Sequence, residues 1–276
     1  MIDTHSHLWF KHFKDDLDEV IQRAHDAGVH TMIQVGCEEE SSRHSVEFAE
    51  RYDGMYATVG FHPTECNDQS VSMTNEQFKW IRELLETSKK IVAIGETGID
   101  YYHQPYDVEA QKWGLKYQSE LAQEFDLPVI VHLRMNKRPV AGEDGLNQAE
   151  HDVLEVLDAV GMTADKVVFH CFSGSLKMAK EVVKRGWVIS FSGVVTYPNA
   201  GELREVAQML PEDKIVVETD CPFLPPQAYR GERNEPAYVK ETALVVAQAR
   251  GVSVEEIEKV TDANAGRVFG VGREGV

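Results

Sequence analysis

His5 and His7 stand two residues apart in an apolar N-terminal run, Met1-Ile2-Asp3-Thr4-His5-Ser6-His7-Leu8. Alternate residues of a strand share a face, so both imidazoles project to one side if this run is extended. Paired imidazoles pack poorly in an apolar core and make good metal ligands. Short His-x-His pairs also occur by chance on surfaces, so the pair gains weight only if other strands end in matching ligands. They do: His62, Glu96, His132, His170 and Asp220 each close an apolar, β-branched run. Four of these five histidines and the two carboxylates suit two divalent cations with one carboxylate between them. Such a pair of ions can activate water, orient a scissile group and stabilise a leaving oxygen.

The elements that must position these residues are eight apolar runs, over residues 1–8, 31–36, 56–62, 91–95 (running into Glu96), 128–132, 166–170, 187–192 and 214–220. Helix-length amphipathic segments lie between them at 14–28, 41–52, 75–88, 109–125, 149–160, 176–185 and 203–210, with two more at 236–250 and 254–268. Gly28 and Gly186 stand where a helix C′ glycine belongs, and Thr74 with Gln77 forms a candidate capping box. Strand alternating with helix implies a parallel sheet covered by helices. Eight such units, with no Gly-x-Gly-x-x-Gly after the first strand, predict an α/β fold of the TIM (β/α)8 barrel type, a single domain over residues 1–276. In that fold the active site lies at the C-terminal ends of the strands, where the polar residues cluster.

Strand parity sharpens the expectation. Ile94, Ile130 and Val168 precede Glu96, His132 and His170 by two residues and are predicted to fill the layer beneath them. Glu218 shares the parity of Asp220. It either hydrogen-bonds a ligand imidazole or forms an ion pair deeper in the barrel. Cys171 and Cys221 each follow a proposed ligand and are expected to face away as packing residues. Ser173 lacks the Gly-x-Ser-x-Gly elbow of a serine hydrolase.

Composition bounds the rest. A hydrophobic content of 42% and a charged content of 27% are ordinary for a soluble enzyme. No basic leader precedes an apolar segment, no apolar run spans a bilayer, and four scattered cysteines suggest neither a thiolate metal site nor a disulfide framework. A cytoplasmic protein with no membrane association and no obligate protein partner is expected. The net charge of −18 argues against broad binding to duplex nucleic acid, although a local basic patch or divalent cations reverse the sign inside a pocket.

With these residues placed, the sequence resembles the TatD family of metal-dependent deoxyribonucleases, within the amidohydrolase superfamily. The resemblance rests on Asp3-Thr4-His5-Ser6-His7-Leu8, Val59-Gly60-Phe61-His62-Pro63, Ala93-Ile94-Gly95-Glu96-Thr97-Gly98-Ile99-Asp100-Tyr101 and Leu127-Pro128-Val129-Ile130-Val131-His132. It continues through Val168-Phe169-His170-Cys171-Phe172-Ser173-Gly174, Ser190-Phe191-Ser192-Gly193, Glu218-Thr219-Asp220-Cys221-Pro222-Phe223-Leu224 and Arg230-Gly231-Glu232-Arg233-Asn234-Glu235-Pro236. The resemblance implies that His5, His7 and Asp220 hold one ion and His132 and His170 the other, with Glu96 bridging. Asp220 would also serve as general base, and His62 would contact substrate unless it is a structural residue before Pro63. The ions are Mg, Mn or Zn.

The implied substrate is DNA, most readily a single-stranded end. The implied alternative is ester or amide hydrolysis on the same ions, as in D-aminoacyl-tRNA deacylation, and a non-catalytic metal-binding scaffold is the remaining class. Arg230 and Arg233 either grip a phosphate or pair internally with Glu232 or Glu235. Tyr102 and Tyr101 either stack on a base or pack at the rim, while Asp100 is expected to brace its own turn. Two stretches depart from the family pattern. Thr64 follows His-Pro, and a longer loop over residues 137–145 follows His132. That loop is expected to overhang the ions, with Arg134, Lys137 and Arg138 supplying positive charge.

Overall fold

The computed structural model describes residues 1–67 and 75–272. The cap expected at Thr74 lies outside the described residues. Eight strands pair in sequence order, all parallel: β1 (Ile2–Ser6), β2 (Thr31–Val35), β3 (Met55–Val59), β4 (Ile91–Asp100), β5 (Val129–Arg134), β6 (Val167–Phe169), β7 (Val188–Phe191) and β8 (Ile215–Val217). A bridge between Ser6 and Cys221 closes the ring, with Asp220 N–H donating to His5 O and His7 N–H to Cys221 O, both at 2.9 Å. The barrel is a TIM (β/α)8 fold, as its strand and helix alternation predicts.

Its helices are α1 (Leu17–Asp26), α2 (Glu39–Arg51), α3 (Lys79–Thr87), α4 (Val108–Glu124), α5 (Gln148–Val160), α6 (Leu176–Lys184), α7 (Gly201–Met209), α8 (Val239–Arg250) and α9 (Val254–Phe269). Gly28 and Gly186 take left-handed φ of 82° and 74° just past α1 and α6, where a Cβ is disfavoured. Among the described residues no helix is long and apolar enough to cross a membrane.

Alternation along the strands sorts the core into two layers. Ile33, Val35, Ile130, Val168, Val188 and Val216 fill the barrel interior, where Ala265, Val268 and Phe269 of α9 join them. Residues of opposite parity, such as Met32, Val129, Phe169 and Ile189, pack between barrel and helices. His132 and His170 therefore rest on inward Ile130 and Val168, as parity predicts.

Glu96 does not follow that rule. Ile94 belongs to the outer layer, and β4 slips register against both neighbours, between Ile91 and Ala93 and again between Ile94 and Thr97. Bulges of this kind re-aim side chains. Gly95 supplies the second slip at φ 146°, a conformation that residues with a Cβ rarely adopt, and a Cβ there would lie 2.8 Å from Ile130 O. The strand also runs on to Asp100 instead of stopping at Gly95, which puts Asp100 on the face of Glu96.

Candidate metal centre

The C-terminal mouth of the barrel opens into a cavity of about 850 Å³ whose floor includes His7, His62, Glu96, His132, His170 and Asp220. His5 lies fully buried just beneath. Two pairs of imidazole nitrogens face each other: His5 Nε2 and His7 Nε2 at 3.2 Å, and His132 Nδ1 and His170 Nε2 at 3.3 Å. Glu96 divides its carboxylate between the pairs. Its Oε2 lies 3.5 Å from His5 Nε2, while Oε1 lies 2.7 Å from His170 Nε2 and 2.9 Å from His132 Nδ1. Asp220 Oδ1 closes the first group, 3.5 Å from His7 Nε2 and 3.7 Å from His5 Nε2.

This arrangement fits divalent cations. Facing lone pairs and converging carboxylates repel unless a positive charge lies among them, and imidazole with carboxylate is a donor set for zinc, manganese and related ions. Nδ1 of His5 and Nδ1 of His170 are buried without a hydrogen-bond partner in the described structure. Burial drives the Glu96 carboxyl up, but the His170, His62 and His132 imidazoles outweigh it and hold the group well below its usual range. Asp220 is likewise pushed up by burial and brought lower overall by His7, His5 and His170.

The ring orientations are fixed from outside the cluster. His7 Nδ1 bonds the Val35 carbonyl at 2.9 Å, which leaves Nε2 as the free lone pair aimed inward. His132 sets Nε2 against Asp100 Oδ2 at 3.1 Å and presents Nδ1. Glu218 lies behind His170, with Oε1 3.3 Å from Nδ1. That is close enough for charge pairing, though not aligned as a hydrogen bond. Glu218 is itself held by Cys171 N–H at 2.6 Å and Ser190 Oγ at 2.5 Å. His62 differs in kind. Its Nδ1 is held by Thr64, at 2.7 Å from Oγ1 and 3.2 Å from N, and its Nε2 faces Glu96 Oε1 at 3.4 Å.

Several expected positions are corrected. Arg233 is not at the cavity. Its guanidinium forks onto Asp16 at 2.7 Å twice, donates to His12 O and lies over the Phe13 ring. This is an internal pair, but its main partner is Asp16; Glu235 is 3.9 Å away and is taken by Arg23. Arg230 packs its guanidinium on the Tyr197 ring at 4.4 Å. Tyr102 does not line the cavity, and Arg134 and Lys137 cover its ring at 4.2 and 5.4 Å.

Arg134 does line the cavity, together with Leu133. The loop after it does not overhang the floor. It folds back through Gly142 N–H to Leu146 O, with Asp144 paired to His151 on α5, and leaves Arg138 exposed.

Among the cavity residues not read from the sequence as facing it, three lie beside the histidines and carboxylates of the cluster. Asp100 braces its turn, bonding Tyr102 and His103 N–H, but it also touches His132. Its spacing of four from Glu96 on one strand is the signal. Cys37 shares the parity of Ile33 and Val35, and its thiol donates to Glu96 Oε2 at 3.7 Å. Cys171 lines the cavity because φ of 40° turns the chain sharply after His170. Cys221 is fully buried in the outer core, as expected. Asp3, also fully buried, ties the His5 strand to the Asp220 segment through Thr219 Oγ1 at 2.6 Å and Thr219 N–H at 2.9 Å. Burial raises its carboxyl to about 7.

A closed parallel barrel with imidazoles and carboxylates gathered at its C-terminal mouth defines a metal-dependent hydrolase. The family model of the TatD related DNases matches residues 2–270, and the chain belongs to that family. It is 39% identical over 269 residues to the uncharacterized metal-dependent hydrolase YabD of Bacillus subtilis, covering 98% of each chain. It is 32% identical over 277 residues to a Cronobacter sakazakii protein named 3'-5' ssDNA/RNA exonuclease TatD, covering 98% of this chain and 97% of that one. The crystal structure of the TatD homologue YjjV from Escherichia coli superposes with a TM-score of 0.85 at 31% identity, covering 99% and 98% of the two chains.

Proposed function

We propose that the protein is a divalent-metal-dependent exonuclease that removes nucleotides from the 3′ ends of single-stranded DNA. The observation that carries this reading is the Glu96 carboxylate shared between two imidazole pairs on the floor of a blind cavity with Arg134 on its wall. A blind cavity admits a chain end more readily than a continuous duplex, and a chain of net charge −18 offers no broad basic face. Relatives named 3'-5' ssDNA/RNA exonuclease support both the substrate class and the direction.

In this reading His5, His7 and Asp220 would hold one ion and His132 and His170 the other, with Glu96 shared between the two groups. Bound there, the ions supply Lewis acidity at the phosphoryl group and ease deprotonation of the attacking water. Asp220 Oδ1, beside His7 Nε2 and His5 Nε2, would receive the proton. His62 presents its Nε2 to a substrate oxygen beside Glu96, and Arg134 pairs with a phosphate further out.

The test uses metal-stripped protein resupplied with magnesium, manganese or zinc and offered single-stranded, duplex and 3′-blocked oligonucleotides. Metal-dependent shortening of free single-stranded 3′ ends, lost in Asp220→Ala and His132→Ala, is the expected result. Release of an aminoacyl ester from tRNA without phosphodiester cleavage would replace this reading with the deacylase one. Wild-type activity no higher than that of the two variants would leave a scaffold.

A further inference from the structure

We propose that the cavity has a dedicated base-stacking wall, formed by Phe10, Tyr197 and Phe223, that receives the terminal nucleobase opposite the Arg134 side. The inference rests on the nuclease reading and adds which part of the substrate each wall takes. All three rings line the cavity, and each follows a different strand: Phe10 after β1, Tyr197 after β7 and Phe223 after β8. Phe223 and its neighbour Leu224 are 44% and 37% exposed, two adjacent large apolar side chains at the cavity instead of in the core. An exposed apolar pair beside a catalytic floor is a binding feature.

The wall is built in advance. Phe223 meets Phe10 edge-on at 5.4 Å between centroids and His7 at 6.1 Å, so it stands directly beside the cluster. Trp9 backs Phe10 at 4.2 Å and is pinned by its Nε1–H to Val35 O at 3.0 Å. The turn that carries Asp220 also carries Phe223, whose N–H donates to Asp220 O at 2.9 Å. Buried Asn234 clamps the same turn, with Nδ2–H bonds to Thr219 O at 2.8 Å and Phe223 O at 2.6 Å. Gly193 lets the Leu224 backbone approach, since a Cβ there would lie 2.6 Å from Leu224 O. Tyr197 is held by its hydroxyl on Pro225 O at 3.0 Å and backed by Arg230.

Charge assigns the two sides. Arg134 lines the cavity on the β5 side, with Lys137 beside it over Tyr102, whereas the cation near the aromatic side, Arg230, is stacked on the Tyr197 ring and does not itself line the cavity. The aromatic rings beside β1, β7 and β8 line the cavity and offer π-surface that any base can use. A phosphate on the floor with its base toward Phe223 and the next phosphate toward Arg134 satisfies both sides at once.

The experiment compares kcat/KM for removing a normal terminal nucleotide and an abasic one, for wild type, Phe223→Ala, Phe223→Leu and Phe10→Ala, with metal titration of each variant as a check on the floor. Wild type is expected to prefer the base-bearing end by about tenfold or more, mainly through KM. That ratio should collapse toward one in Phe223→Ala and fall partway in Phe223→Leu and Phe10→Ala, with metal affinity kept. Equal rates on the two ends by wild type, or equal losses on both ends in Phe223→Ala, would overturn the wall while leaving the nuclease reading intact. Absence of cleavage on every oligonucleotide would instead remove the nuclease reading and this inference with it.

Discussion

Asp100 Oδ2 lies 3.1 Å from Nε2 of His132, while Asp100 Oδ1 accepts backbone N–H bonds from Tyr102 and His103 at 2.9 Å each. The carboxylate is fully buried. Burial pushes it up, but His132 and these backbone donors outweigh that and hold it below the ordinary carboxylate range. A fixed acceptor behind Nε2 keeps the proton there and leaves Nδ1 as a lone pair directed at Glu96. Asp100→Asn can still accept the backbone bonds through its amide oxygen but no longer supplies charge. It is expected to weaken metal binding by roughly 10–100-fold, the usual effect of losing such a partner. Calorimetric titration of the stripped protein checks this; unchanged affinity would make Asp100 a turn brace and nothing more.

Arg134 and Arg233 separate a substrate contact from a structural one. Arg134 lines the cavity, whereas Arg233 is spent on Asp16 and Phe13. Arg134→Ala is expected to weaken oligonucleotide binding and to flatten its log–log salt dependence by about 0.7, the share of one phosphate on a single strand. Arg233→Ala should leave that slope alone and cost on the order of 1 kcal/mol in stability, a figure kept small because the pair is partly solvated. Binding isotherms over a salt series and denaturant melts distinguish the two. A slope change in Arg233→Ala would return that residue to the substrate path.

The barrel and four of its histidines were legible because both follow from a period of two. Apolar residues alternate inward and outward, and His132 and His170 extend the inward rows of Ile130 and Val168. Glu96 was found by its place at the end of a strand, but the parity assigned to it was wrong, since the register slips around Gly95 are backbone events that leave no mark on hydrophobic alternation. Cys171 was misplaced for the same kind of reason, a sharp turn at positive φ. Arg233 was unreadable on other grounds. Its partner lies 217 residues away in sequence, and nearby Glu232 and Glu235 are the natural candidates until the chain is folded.

Gly95 carries the geometry that aims Glu96. At φ 146° a Cβ would stand 2.8 Å from Ile130 O and 2.9 Å from Ile130 Cβ, so neither backbone nor neighbour has room to yield. Gly95→Ala is expected to cost about 2–4 kcal/mol and to lower metal affinity by displacing the shared carboxylate. Gly201→Ala is the control: it begins α7 with nothing within 4 Å of its added Cβ and should stay within about 0.5 kcal/mol of wild type. Thermal melts with and without metal report both terms. A Gly95→Ala protein as stable as the control would show that β4 can hold Glu96 without the bulge.

At the opposite end of the barrel, Asp165 accepts from Lys214 Nζ at 2.8 Å and pairs with Arg267 of α9, joining the approaches to β6 and β8. Burial pushes its carboxyl up, but Arg267 and Lys214 outweigh that and hold it below the ordinary range. A lowered folded value means stabilisation that is present above the unfolded carboxylate pKa of about 3.9 and lost as pH falls through the folded value. Asp165 also sits at φ 63°, a conformation asparagine tolerates, so Asp165→Asn removes the charge and keeps the backbone. Because the pair is partly exposed, the variant should lose about 1 kcal/mol or less at pH 7. The deficit should shrink as the pH is lowered past 3.9 toward the folded value, because the wild type then loses the same charge. Urea melts of both proteins at pH 7 and near pH 3 measure the difference. A deficit that persisted undiminished in acid would assign the stabilisation to neutral hydrogen bonding instead of to the ion pairs.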